Sequence, residues 1–236
     1  MPARPAHVVI LTGAGISAES GLKTFRDADG LWEGHRVEEV ATPEAFAANP
    51  ALVHRFYNLR RAALHTVAPN TAHRALARLG AAWPDRVTLV TQNVDDLHDR
   101  AGSRPLHMHG EILRIRCERC GAGRRWTDEL STATRCPDCG RAGGLRPDIT
   151  WFGEMPQRLN EVLAAMEACD LFAAIGTSGV VYPAAGLVAR AREAGAHTIE
   201  FNVQATEASG VFAEHRVGPA TATVPPWVEE LLGGSG

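Results

Sequence analysis

The sequence contains no apolar run approaching the roughly 20 residues that a bilayer-spanning helix needs. Its opening residues, Met1-Pro-Ala-Arg-Pro-Ala6, lack the apolar core of a secretion signal. A cytoplasmic protein with no membrane partner is therefore expected. No charge of one sign predominates: 24 Lys and Arg face 27 Asp and Glu, for a net charge of -3. Without a broad basic field, nucleic acid is not an expected partner, and binding has to be local. Internal repeats and low-complexity tracts are missing as well, although Gly233-Gly-Ser-Gly236 reads as a frayed tail. The 236 residues, 45% of them hydrophobic, suffice for one main domain with a smaller module attached.

An even set of cysteines is also lacking. The five are Cys117, Cys120, Cys136, Cys139 and Cys169, a count that fits poorly with a complete disulfide framework. Four of them form C-x2-C-x15-C-x2-C. Each pair is spaced to grip one cation from a tight knuckle, and Gly121 and Gly140 follow where such a turn needs open backbone geometry. A structural Zn(II) is expected, since four thiolates close a tetrahedral shell and leave no position for a reacting water. Two disulfides are the alternative, disfavoured by a reducing cytosol. Cys169 is assigned to an apolar helix with Val162-Leu-Ala-Ala-Met166, as core.

The β-branched run Val8-Val-Ile-Leu11 leads into Gly13-Ala-Gly-Ile-Ser-Ala-Glu-Ser-Gly21 and then Thr24-Phe-Arg26. Gly13, Gly15 and Ala18 fit G-x-G-x-x-G/A, in which glycines let the backbone turn and approach a pyrophosphate at a helix N-terminus. A tight strand-to-helix turn without a ligand has the same appearance. Asn49-Pro50 provides an N-cap and a proline at the first helical position, opening a helix to about Thr66 on which Tyr57 and Arg60 share a face. Taken alone, that pair reads as solvated surface.

Asn70-Thr-Ala-His73 opens a second helix carrying Leu76 and Leu79. Val87-Thr-Leu-Val90, Leu171-Phe-Ala-Ala-Ile175 and Thr198-Ile-Glu-Phe201 read as buried strands. They end in Thr91-Gln-Asn-Val-Asp95, Gly176-Thr-Ser178 and Asn202, so four strands bring polar or glycine-rich ends to one edge, where parallel α/β sheets bind ligands. Leu187 to Ala194 is alanine-rich and stops at Gly195. The expected fold is α/β: a Rossmann-like parallel sheet with helices on both faces plus a small zinc-binding module. Residues 1–27, 68–106 and 155–236 would form the first, residues 28–67 and 107–154 the second, with a cleft between. His98 reads as packed or capping; His109, before Gly110 at the junction, can reach a ligand and take a proton.

Together, the Gly13–Gly21 stretch with Phe25-Arg26, Gln92-Asn-Val-Asp95, His109-Gly110, the two Cys-x-x-Cys pairs, Trp151-Phe-Gly-Glu154 and Gly176-Thr-Ser178 resemble the sirtuins, NAD-dependent protein-lysine deacylases. The resemblance runs in order along nearly the whole chain, through Asn202 and Gly218-Pro-Ala220. Thr24-Phe-Arg26 and Tyr57-x-x-Arg60 resemble the bacterial, desuccinylase-type branch.

This resemblance implies that NAD is a consumed co-substrate held by Gly13, Ala14, Gly15, Ser17, Ala18, Glu19, Thr24, Phe25, Arg26 and Trp32. Gln92, Asn93, Val94 and Asp95 would line the nicotinamide pocket. Gly176, Thr177, Ser178, Asn202, Val203, Gln204 and Ala220 would meet the adenosine half. His109, with Asn93 and Asp95, would be catalytic: the acyl-lysine oxygen attacks the anomeric carbon, nicotinamide leaves, and His109 deprotonates the ribose hydroxyl that attacks the alkylamidate. Tyr57 and Arg60 would read an acidic acyl group, and Phe152, Gly153, Glu154, Val180 and Val181 would flank the acyl-lysine peptide. The implied products are free lysine, nicotinamide and O-acyl-ADP-ribose, and the implied state is a monomer. Val94 stands where the family commonly has isoleucine, and Thr150 where it is usually apolar. A nicotinamide-dependent dehydrogenase with structural zinc, an inactive NAD or ADP-ribose binder, and an ADP-ribosyl transferase are the rival readings.

Overall fold

The computed structural model describes residues 5–23, 34–178, 186–206 and 209–233. Thr24, Phe25, Arg26, Trp32, Val180 and Val181, all expected at the site, lie outside the described residues. Six parallel strands form the main sheet: β1 (Val8–Thr12), β2 (Val87–Thr91), β3 (Leu106–His107), β7 (Leu171–Ile175), β8 (His197–Asn202) and β9 (Glu214–Val217), in the order β3-β2-β1-β7-β8-β9. The order reverses at β1, which pairs with β2 on one side and β7 on the other. That reversal opens a crevice beyond the carboxyl ends of β1 and β7.

Alternation along β1 produces the layering. Val8 and Ile10 join Leu76 and Leu79 of α5 (Thr71–Ala82) and Val224, Trp227 and Val228 of α9 (Ala220–Gly233). Val9 and Leu11 join Val162 and Met166 of α7 (Leu159–Glu167) and Leu187, Val188 and Ala191 of α8 (Leu187–Glu193) on the other face. Helices therefore cover both faces. Cys169 is buried in this second cluster, but it stands beyond the end of α7 and not within the expected helix.

A second, antiparallel sheet comprises β4 (Gly110–Cys117), β5 (Gly123–Arg125) and β6 (Leu145–Ile149) in the order β5-β4-β6. Ile112, Leu113, Ile149 and Trp151 pack with Val53, Phe56 and Tyr57 of α4 (Pro50–Ala63), and with Val40 and Phe46. The expected cap is present, since Asn49 Oδ1 accepts from the Leu52 N–H at 3.1 Å. The helix itself ends at Ala63, and Leu64–Thr66 is a single 3-10 turn.

Several histidines are buried neutral. Burial first, then the charge of Arg61, lowers the His54 pKa to about 4; burial and then Arg74 lower that of His73 to about 4. An unfolded chain protonates these imidazoles below about pH 6.5 while the folded chain does not. Stability is therefore lost as pH falls from 6.5 toward 4, by about 2 kcal/mol per histidine at pH 5. His107 has the opposite sign: burial is outweighed by its bond to Asp99, its pKa is raised, and its contribution is lost only as pH rises. We predict a lower urea midpoint at pH 5 than at pH 7.5; an unchanged midpoint would contradict neutral burial of His54 and His73.

Candidate active site

A cavity of about 1010 Å³ runs between the carboxyl edge of the main sheet and the β4–β6 layer. Its sheet side is set by two turns in close contact. Gly13 N–H donates to the Ile175 carbonyl at 3.0 Å, and Gly15 N–H to the Gly176 carbonyl at 2.8 Å. A Cβ on Gly13 would stand 2.7 Å from the Gly176 oxygen, and one on Gly15 2.7 Å from the Gly176 Cα. These glycines are thus required by the approach of the turn after β7. The helix that follows, α1 (Gly15–Ala18), is a single turn.

Behind the turn lies a closed polar network. Asn93 Nδ2 donates to the Gly13 carbonyl at 3.1 Å and approaches Ser17 Oγ at 3.2 Å. Ser17 Oγ donates to Asp95 Oδ2 at 3.1 Å, and Leu97 N–H donates to Asp95 Oδ1 at 3.1 Å. Burial raises the Asp95 pKa against those two bonds. Each carboxylate oxygen keeps a lone pair, so Asp95 can still accept from a carboxamide NH2. His98 is sealed in the same layer, with Nε2 3.0 Å from Thr12 Oγ1; it is packed, as its sequence spacing suggested.

His109 occupies the turn between β3 and β4, partly buried at the cavity wall. Its Nδ1 lies 3.1 Å from the main-chain carbonyl of Gln92. A carbonyl can only accept, so Nδ1 carries the proton and Nε2 holds the lone pair. Burial lowers the His109 pKa, opposed by that hydrogen bond. The imidazole is thus a neutral base with a fixed tautomer at neutral pH.

Tyr57 and Arg60 line the same cavity from α4. Tyr57 is fully buried, its oxygen accepts from Trp151 Nε1 at 3.0 Å, and burial raises its pKa, so the phenol keeps its proton. Trp151 is held in turn by the Arg146 guanidinium, 3.2 Å from its ring centroid. Arg146 is buried and pairs with both oxygens of Glu154 at 2.8 and 2.9 Å. Glu154 also accepts from Arg116 and from the Trp151 N–H, each at 2.8 Å. Its carboxylate thus braces the cavity wall, and Glu154 lines the cavity together with Phe152, 44% exposed, and Gly153.

Toward the other end, Asn202 Nδ2 donates to the Thr177 carbonyl at 2.9 Å and its Oδ1 accepts from the Val203 N–H at 3.0 Å. Gln92 Nε2 donates to Thr177 Oγ1 at 3.1 Å. Asn202 therefore joins two cavity turns. Ala14, Ala18, Val94, Ser178, Val203, Gln204 and Ala220 also line the cavity. Glu19 does too, with its carboxylate accepting from the Thr221 N–H at 3.1 Å and from Thr221 Oγ1 at 2.7 Å. Sequence reasoning missed Arg146 and the buried Glu200. The latter accepts from Thr206 Oγ1 at 2.6 Å and from Ser209 Oγ, tying these two residues to β8.

The four cysteines of the two knuckles converge, their sulfurs all within 4.8 Å of one another. Cys117 and Cys139 are 3.9 Å apart, Cys120 and Cys136 3.8 Å. A tetrahedral shell with Zn–S near 2.3 Å has edges of about 3.8 Å, so the thiol set fits zinc. The knuckles match: Gly121 N–H donates to the Cys117 carbonyl and Gly140 N–H to the Cys136 carbonyl, both at 2.8 Å and both at positive φ. Bound there, zinc supplies a cross-link between the two knuckles.

Fold and site define a nucleotide-binding α/β protein with a base at the cavity wall and a separate structural metal centre. Residues 13–183 match the model of the Sir2 family. An NAD-dependent protein deacylase of Bdellovibrio bacteriovorus is 57% identical over 96% of this chain and 97% of its own length. One from Escherichia coli K12 is 53% identical over 97% of this chain and 83% of its own. A solved Sir2 homologue–NAD complex superposes with a TM-score of 0.89 at 37% identity, covering 98% of this chain and 91% of that one. Sir2Af2 bound to a myristoylated histone peptide gives 0.76 at 34%, covering 97% and 92%. The chain belongs to the Sir2 family. Among the described residues, no helix is long and apolar enough to cross a membrane.

Two outcomes follow from the geometry. Chelation should lower zinc content, thermal midpoint and activity together; activity lost with the midpoint intact would contradict a structural role. The acid limb of kcat/KM should fall below the ordinary imidazole pKa of about 6.5, because the base must be neutral and burial lowers its pKa. A limb above that value would contradict His109 as the base.

Proposed function

We propose that this chain is an NAD-dependent protein-lysine deacylase that removes succinyl, malonyl or glutaryl groups in preference to acetyl. The observation that carries the activity is the fixed Nδ1–H tautomer of His109, which leaves Nε2 as a base in a cavity large enough for a dinucleotide and an acyl-lysine side chain. The relatives' name supports the same reading.

In this reading the acyl-lysine oxygen attacks the anomeric carbon of the nicotinamide ribose, the carbon–nitrogen bond breaks, and nicotinamide leaves with the bonding pair. Asp95 accepts from the carboxamide, and Asn93 and Ser17 hold Asp95 and the Gly13 turn in place. His109 Nε2 takes a proton from a ribose hydroxyl, whose oxygen attacks the acyl carbon. Water completes the balance, giving free lysine, nicotinamide and O-acyl-ADP-ribose. Zinc takes no part in these steps.

The acyl preference rests on Tyr57 and Arg60. A guanidinium and a protonated phenol in one cavity suit a terminal carboxylate, and an acetyl group offers none. A hydrogen bond to a charged group contributes about 1.5–3 kcal/mol, or roughly one to two decades in kcat/KM. Phe152, Gly153 and Glu154, which line the cavity, would border the peptide.

Arg60→Met should lower kcat/KM for a succinyl-lysine peptide by about 10- to 100-fold and leave the matched acetyl peptide within about threefold. Equal losses on both peptides would remove the carboxylate-reading assignment.

A further inference from the structure

The helix that carries Tyr57 and Arg60 is clamped to the zinc-bearing segment by the residues next to them. An α-helix turns about 100° per residue, so Asn58 and Arg61 form a second face rotated by that angle from Tyr57 and Arg60. The Asn58 carboxamide pairs with both backbone groups of Leu130: Nδ2 donates to the Leu130 carbonyl at 2.9 Å, and Oδ1 accepts from the Leu130 N–H at 2.9 Å. Arg61 Nη1 donates to the same Oδ1 at 2.9 Å and to the Asp128 carbonyl at 3.3 Å. Arg61 Nε donates to the Ile112 carbonyl at 3.2 Å.

Arg61 is 2% exposed, and burial lowers its pKa to about 10, so it is still a cation at neutral pH. Burying a charge on main-chain carbonyls and an amide is costly unless those bonds are all made. Four hydrogen bonds between the Asn58 and Arg61 side chains and the backbone of Ile112, Asp128 and Leu130 thus oppose rotation of the helix. Leu130 is the link to the metal centre: its side chain is buried with Cys117, Cys136, Ile115 and Leu145, while its backbone is bound by Asn58.

We propose that Asn58 is a positioning residue through which the zinc-bearing segment sets acyl selectivity, by fixing the rotation of the helix that presents Tyr57 and Arg60. This rests on the reading of Tyr57 and Arg60 as the carboxylate-recognising pair. A helix rotation of about 10° moves a guanidinium roughly 10 Å from the axis by nearly 2 Å, more than a hydrogen bond to a carboxylate tolerates. An acetyl group makes no such bond and is insensitive to that rotation.

The test uses the full-length protein with Asn58→Ala and Asn58→Asp, the latter losing the donor to Leu130 O and keeping an acceptor for its N–H. Zinc per chain is measured, and kcat and KM are determined with NAD and matched succinyl- and acetyl-lysine peptides. The proposal predicts unchanged zinc, acetyl kcat/KM within about threefold of wild type, and a succinyl-to-acetyl ratio lowered about tenfold or more in Asn58→Ala. Asn58→Asp should be intermediate, and it decides the matter if Asn58→Ala is insoluble. A wild-type preference for succinyl that either soluble variant retains in full, with only thermal stability reduced, overturns the clamp alone. A wild type with no succinyl preference overturns the carboxylate reading, and the clamp falls with it.

Discussion

The cavity exists because two turns meet without side chains between them. Gly13 and Gly15, at the end of β1, lie against Gly176 at the end of β7, where a Cβ on any of the three would meet backbone within 3 Å. Gly176 also adopts a φ of +61°, a conformation costly for other residues. The contact falls where the strand order reverses, so it sets both the position of the crevice and the placement of Ser17 and Asn93 behind it.

On that frame, the chemistry depends on main-chain atoms holding side chains. The Gln92 carbonyl fixes the His109 tautomer, and the Gly13 carbonyl holds Asn93. Both carbonyls belong to strand ends of the main sheet, whereas His109 enters from the turn leading to the second sheet. The opposite wall follows the same logic with buried charge: Glu154 binds Arg146, Arg146 covers Trp151, and Trp151 donates to Tyr57. Breaking one partner of such a pair leaves an uncompensated charge, so removing either Arg146 or Glu154 is costly.

What the sequence made legible was local. Buried strands, the Asn49-Pro50 cap and the cysteine knuckles each announce themselves within a few residues, and the resemblance placed His109 in the same cavity as Tyr57. Less legible were roles that depend on partners far along the chain. Arg61 and Asn58 meet residues 51 to 72 positions away, and Asn202 meets Thr177, so nothing beside them in sequence marks what they do. The glycine spacing signals a close backbone approach, but that Gly13 and Gly15 pack against the turn at Gly176 while lining the cavity depends on a partner far along the chain. Pro225 and Pro226 lie inside α9, whose Val224, Trp227, Val228 and Leu231 are buried in the same cluster as β1 and α5.

In the proposed reaction, His109 turns departure of nicotinamide into transfer of an acyl group. The direct measurement is a mass balance on the purified protein with NAD and a succinyl-lysine peptide, following nicotinamide, deacylated peptide and O-succinyl-ADP-ribose, with His109→Ala alongside. Equal amounts of the three products from the wild type, with neither free peptide nor acyl-ADP-ribose from the variant, is the predicted result. Nicotinamide released without matching deacylated peptide, or a variant that deacylates at the wild-type rate, would contradict it.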